Sequence, residues 1–196
     1  MTLIGKQEKY IEQLGEQTVE VNELPGIIKK SLGIRGKFKP GMDESAIAED
    51  IHAAEVVYHL MWIVQNTVVA TRRPFKPKRI PNIIFVDAVS GYRGLLSTVP
   101  FISETAVEKD RIISHIIDAQ AVVQYIKDVQ SNQIDRSYVL KKPGHEQSEP
   151  RLVHLPLWKV EMKGQTGREI HYINANTGDS ENFMSRRWAS GVDLMK

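Results

Sequence analysis

Arg72, Arg73, Lys76, Lys78 and Arg79 surround Phe75 in the segment 72–79. Cations that neutralise phosphates, beside a ring on which a base can stack, make a composition suited to nucleic acid or another polyanion. Lys29, Lys30, Arg35, Lys37 and Lys39 form a second basic segment, and Arg186, Arg187 and Trp188 a third. Folding decides whether these converge, because Lys and Arg are also the ordinary residues of a solvated surface. A different chemistry is offered by Glu49, His52, Glu55 and His59. On one helical face His52 and Glu55 would hold a divalent metal, provided that the helix continues through His59. Ser114, His115 and Asp118 lie too close together on one predicted helix to align as a triad. The chain has no Gly-rich phosphate loop, no nucleophile elbow and no zinc-type His pair. It has no Cys either, which removes thiol nucleophiles, disulfides and Cys-ligated zinc. No catalytic residue and no cofactor is therefore assigned.

The elements that must position these residues come from a chain of 196 residues, enough for one medium core or two small ones. Its 41% hydrophobic and 26% charged content is that of a globular protein, and a formal net charge of +2 is too small to demand a polyanionic partner by itself. The first residues carry Lys6, Glu8 and Lys9 before any apolar stretch of signal-peptide length, so a cytoplasmic location is expected. The most apolar window, 53–70, contains Glu55, His59, Gln65 and Asn66, which favours core burial over a membrane span.

The sequence also echoes itself. Tyr58, His59, Leu60, Met61 and Trp62, followed by Asp87, Ala88, Val89, Ser90 and Gly91, are matched by Val153, His154, Leu155, Pro156, Leu157 and Trp158, followed by Asn174, Ala175, Asn176, Thr177 and Gly178. Such self-similarity points to duplication of one supersecondary unit. His59 and His154 are offset by 95 and Asp87 and Asn174 by 87, which leaves eight extra residues in the first copy. Loops absorb insertions, so the extra residues are expected in a loop at 72–79. His59 and His154 are expected at equivalent sheet positions. Asp87 and Asn174 read as turn residues whose side chains bond backbone two positions on, with a Gly after them for φ > 0.

Short helices are predicted over 6–17 and 25–32, the second stopped by Gly33, with a loop at 35–41. Asp43 is the predicted N-cap of a helix in which Ile47, Ile51 and Ala54 share a face. A strand is predicted over 57–71, and another over 152–162 before a turn at 164–167. Thr105 and Glu108 fit a capping box for a helix over 105–131, followed by a short strand at 136–141 and a linker at 143–150. The expected class is α+β: two tandem helix-plus-antiparallel-sheet repeats, 43–104 and 105–196, behind a helical segment at 1–42.

The run 157–162, the turn, and the run 170–178 resemble PepSY and PepSY-like modules, in which a helix packs on a hairpin closing in an aromatic, Val, Asp, Ala, x, Thr, Gly signature. The similarity covers about 105–183, and less closely 43–101, with Asn174 in place of the Asp. The resemblance implies a binding or inhibitory module. The expected function is accordingly a non-enzymatic binding or regulatory module acting through its sheet surface or edge on a protein partner or a second copy. Nucleic-acid or polyanion binding by the basic segment 72–79 is the alternative, and a metal-dependent enzyme at His52 and Glu55 a further one.

Overall fold

A single strand of 22 residues, β2 (Ile51–Arg72), dominates the structure. The computed structural model describes residues 7–32, 43–72, 74–98, 101–114, 116–164, 167–190 and 195. In chain order these form β1 (Glu8–Leu14), α1 (Leu24–Ser31), α2 (Glu44–Asp50), β2, β3 (Phe75–Asp87), β4 (Arg93–Leu96) and β5 (Ile102–Glu108). Then come α3 (Val122–Val129), β6 (Gly144–Gln147), β7 (Arg151–Gly164), β8 (Gly167–Asn174) and α4 (Asn182–Ser190). The class is mixed α+β, with an eight-stranded open sheet among the described residues in the order β4-β3-β2-β7-β1-β5, β6 pairing with β2 and β8 with β7. The β1–β5, β2–β3, β2–β6, β3–β4 and β7–β8 pairs are antiparallel, and β1 meets β7 in a parallel contact. No described helix is long and apolar enough to cross a membrane. The chain divides into two compact units, each drawing on segments from both sides of residue 104.

The first unit comprises Met1–His59, Phe101–Ile113 and His154–Ser190. Its core brings Leu24 and Ile28 of α1, and Ile47 of α2, against Val160, Met162 and Ile173 of the β7–β8 hairpin. Asp43 caps α2 as expected, its carboxylate accepting from the Ala46 N–H at 2.8 Å. The helix ends at Asp50, yet Ile51 and Ala54 still pack on the Ile47 cluster from the start of β2. A second cluster joins Ile11, Val56, Tyr58 and Val107.

The second unit comprises Leu60–Pro100, Ser114–Val153 and Gly191–Lys196. Here α3 packs on β3 and β4, burying Val122, Tyr125, Ile126 and Val129. Arg93 pins the helix to β4: its guanidinium donates to Asp128 at 2.7 Å and lies 5.4 Å from the centre of the Tyr125 ring.

Four expectations change. Within the helix expected over 6–17, residues 7–17 are not helical: Glu8–Leu14 is a strand, because seven residue pairs with β5 outweigh a thin local apolar stripe. The helix predicted over 105–131 begins only at Val122. Thr105 and Val107 sit in β5, and Asp118 nucleates the helix by accepting from the N–H groups of Gln120 and Ala121 at 2.9 and 2.8 Å. Residues 136–141 are not a strand. The chain there follows a π-turn (Gln130–Ile134) and a 3-10 turn (Asp135–Ser137), and the strand falls at Gly144–Gln147, inside the predicted linker. Finally, 72–79 is not an open loop, because Arg72 pairs with Phe75 and Lys78 with Ala70 in the β2–β3 ladder. The strand predicted over 57–71 is present and begins earlier, at Ile51. Gly33, the 35–41 segment, His115 and positions 165–166 lie outside the described residues.

Candidate functional site

Both units hold their hairpins by the same small set of bonds. In the first, the Trp158 indole N–H donates to the Val19 carbonyl at 2.9 Å, and the N–H groups of Thr18 and Val19 donate to the Ala175 carbonyl at 3.0 Å. The Ala175 N–H in turn donates to the Pro156 carbonyl at 3.0 Å. In the second, Trp62 donates to Ile117 at 2.8 Å, Ile116 and Ile117 donate to Ala88 at 2.9 Å, and Ala88 donates to Leu60 at 3.0 Å. Asp87 and Asn174 are turn residues as expected: Asp87 accepts from Val89 and Ser90 N–H, and Asn174 from Asn176 N–H. Gly91 and Gly178 follow with φ of 70° and 74°.

The match by tryptophan corrects the match by histidine. His59 precedes Trp62 by three residues and His154 precedes Trp158 by four. Side chains alternate along a strand, so the two imidazoles stand on opposite faces relative to their tryptophans. Within the first unit His59 is buried and stacks on Trp188, ring centres 4.0 Å apart, while His154 approaches the Glu12 carbonyl at 3.3 Å.

The surface that stands out is the outer edge of β5. Bonds from Lys109 N–H to Gln7 O and from Gly15 N–H to Phe101 O fix residues 109 and 101 as hydrogen-bonded partners of β1. In an antiparallel ladder such pairs alternate. Ser103, Thr105 and Val107 therefore bond β1, whereas Ile102, Glu104 and Ala106 turn their backbone groups outward. On one face of the ribbon Glu8 stands opposite Glu108, Tyr10 opposite Ala106, and Glu12 opposite Glu104. Like charges directly opposite one another weaken a sheet; Glu108 is answered by Arg111, while Glu8 and Glu104 lie exposed on this face. Tyr10, in its middle, is 71% exposed.

Other described edges are closed by recognisable means. The free side of β3 carries Pro77 and Pro81, which have no N–H to offer an added strand. β4 is four residues long, and its Arg93 carbonyl already accepts from Gln133. The far side of β8 is capped by 179–182, with Glu181 N–H on Tyr172 O and the Asn182 side chain on Tyr172 N–H. Bulky, charged or proline-bearing edges resist strand addition; β5 has none of these devices except its Glu residues.

Of the residues singled out for polyanion contact, Arg72, Phe75, Lys76, Lys78 and Arg79 lie exposed at the end of the β2–β3 hairpin, and Arg73 is outside the described residues. Arg79 is committed to a two-point pair with Glu146 on β6, which holds that carboxyl below its usual range. Arg72, Lys76 and Lys78 have no ion-pair partner among the described residues. The proposed metal pair is not brought together. His52 and Glu55 follow Ile51 on β2, where a three-residue separation places them on opposite faces, and Glu55 pairs with Lys159 at 3.0 Å. Among the described residues no group of three or more metal-ligating side chains converges.

A cleft of about 270 Å³ in the first unit is lined by Glu55, Glu108, Arg111, Lys159 and Tyr172. Its cations are internally matched: Arg111 pairs with Glu108 at 3.1 Å and Lys159 bridges Glu55 and Glu161 at 3.0 and 3.4 Å. Nearby, burial depresses the His171 pKa against the opposing pull of Glu169. Its Nδ1 lies 2.9 Å from the Asn182 amide nitrogen, an arrangement that suits a neutral, accepting ring.

Compared with family models, with curated proteins and with solved structures, the chain finds no match.

Proposed function

We propose that the chain is a non-enzymatic binding module that recruits a protein partner by adding a strand to the β5 edge. The observation that carries this reading is the outward-directed backbone of Ile102, Glu104 and Ala106 on a seven-residue terminal strand. The exposed Glu8 and Glu104 set its chemistry: the incoming segment is extended and carries Lys or Arg where it runs past them. A second copy of the chain pairing edge to edge meets its own carboxylates there, which favours a basic partner over self-association.

The shared tryptophan, alanine and turn bonds support a common origin for the two units as one duplicated hairpin-and-helix element. They also support the likeness to PepSY-like binding modules, since a short helix follows each segment held by a tryptophan. The reading is tested by titrating extended peptides with alternating Lys against the chain and its Ala106→Pro variant. Saturable binding to the native chain, lost in the variant, is the expected result. Binding that the proline leaves unchanged would place the contact elsewhere.

A further inference from the structure

The second unit carries a feature that strand addition does not use. Val139 and Leu140 are 92% and 102% exposed side by side, and Phe75 is 72% exposed. Register places Phe75, and the chain entering β6 a few residues after Val139 and Leu140, at one end of the sheet. Gly144 of β6 pairs with Val69 of β2 in an antiparallel ladder, so the chain entering β6 arrives from the hairpin end, where Arg72 meets Phe75. The 138–143 excursion is tied at its base by Asp135, whose carbonyl accepts from Lys142 Nζ at 2.7 Å and whose carboxylate meets His145 Nε2 at 2.9 Å. The segments 69–79 and 138–144 together hold seven Lys or Arg and no Asp or Glu. The second unit as a whole has 12 Lys and Arg against 7 Asp and Glu, whereas the first has 14 against 17.

We infer that this end of the second unit is a peripheral membrane-docking tip for anionic lipid. Its apolar residues Phe75, Val139 and Leu140 enter the headgroup boundary while Arg72, Lys76 and Lys78 neutralise lipid phosphates. Adjacent, fully exposed aliphatic residues followed by Lys141 and Lys142, on a unit with a cationic hairpin end, suit an interface that is apolar below and negatively charged above. A nucleic acid would use the cations and the Phe75 ring, but it offers nothing for a Val and a Leu to bury into. The inference rests on the hairpin end and not on the β5 edge, so it stands or falls separately from strand addition.

The test is co-sedimentation of the full chain with vesicles of phosphatidylcholine alone or with about one-third phosphatidylserine. Binding to the anionic vesicles only, weakening as salt rises, is expected. Val139→Asp with Leu140→Asp should lower it at least tenfold without changing the melting curve, and Lys76→Glu with Lys78→Glu should lower it by roughly fivefold per residue or more. A Phe75→Trp variant gives an independent readout: brominated lipid should quench the added fluorescence. Absence of vesicle binding, or binding that ignores the Val139 and Leu140 changes, overturns the inference. Retention of a single-stranded oligonucleotide by a chain that ignores vesicles would overturn it too, in favour of a polyanion site.

Discussion

Two tryptophans do the same work at the residue scale. Each indole N–H holds the carbonyl of a segment that has just docked on a hairpin turn, so removing the donor leaves a carbonyl without its partner. Trp62→Phe should destabilise the fold by about 1–3 kcal/mol, the usual consequence of orphaning a buried polar group, and Trp158→Phe by somewhat less because Trp158 is only part-buried. Urea denaturation of both variants measures this; a loss below about 0.5 kcal/mol for Trp62 would contradict the assigned role. Gly15 is equally constrained. It takes φ of 78°, and a Cβ added there would collide with the Asn176 amide that bonds the Leu14 carbonyl. Gly15→Ala should therefore be destabilising by more than about 1 kcal/mol, whereas an Ala at Gly144, which has no such neighbour, should be mild.

Protonation at the same scale has a definite sign. His171 has a folded pKa below its ordinary 6.5 because burial disfavours the imidazolium. Its contribution is complete above that value and is lost as pH falls through it toward the lower folded pKa, since the unfolded chain takes up the proton first. Asp128, held below its ordinary 3.8 by the Arg93 hydrogen bond, contributes above that value and is lost further into acid. Melting temperature followed from pH 8 to 3 should show two declines, and His171→Gln should remove the first only. A single decline below pH 4 in the native chain would refute the assignment to His171.

Strands, not helices, organise the elements, and this decides what could be read in advance. Alternation of Ser103, Thr105 and Val107 with Glu104, Ala106 and Glu108 is a period-two signal, yet Thr105 and Glu108 also fit a capping box, and the local cue misled. β1 carries only Tyr10 and Ile11 as strand-forming residues; its conformation comes from a partner 88 to 100 positions away, which no local pattern encodes. By contrast, the Asp43 cap and the turns at Asp87 and Asn174 were legible, because a side chain and its backbone target lie within a few residues; β2 was legible over 57–71 only through its echo at 152–162, and its start at Ile51 read as helix. The hairpin-end cations were legible as a charge run, whereas the β5 edge was not, since an edge exists only once strand order is known. The strand reading predicts that prolines on β5 alternate in effect. Thr105→Pro should cost about 3 kcal/mol or more by removing a bond to β1, while Ala106→Pro should leave stability near native. Equal losses at both positions would mean that the ladder register is wrong.

At the scale of the whole molecule, charge is divided between units: the first is acidic around β1 and β5, and the second is basic around the β2–β3 hairpin end. One chain thus offers two surfaces with opposite preferences, a backbone edge for a basic strand and a cationic tip for an anionic surface. Their salt dependence should differ in degree, because ladder bonds persist where screened surface charges do not. The most direct examination of the edge is residue-resolved amide hydrogen exchange along β5, in the free chain and with an excess of alternating-Lys peptide. Slow exchange at Ser103, Thr105 and Val107 with fast exchange at Ile102, Glu104 and Ala106, the latter three becoming slow when peptide is present, is the predicted result. Amides already slow at 102, 104 and 106 in the free chain, or indifferent to every peptide, would contradict an open edge awaiting a partner.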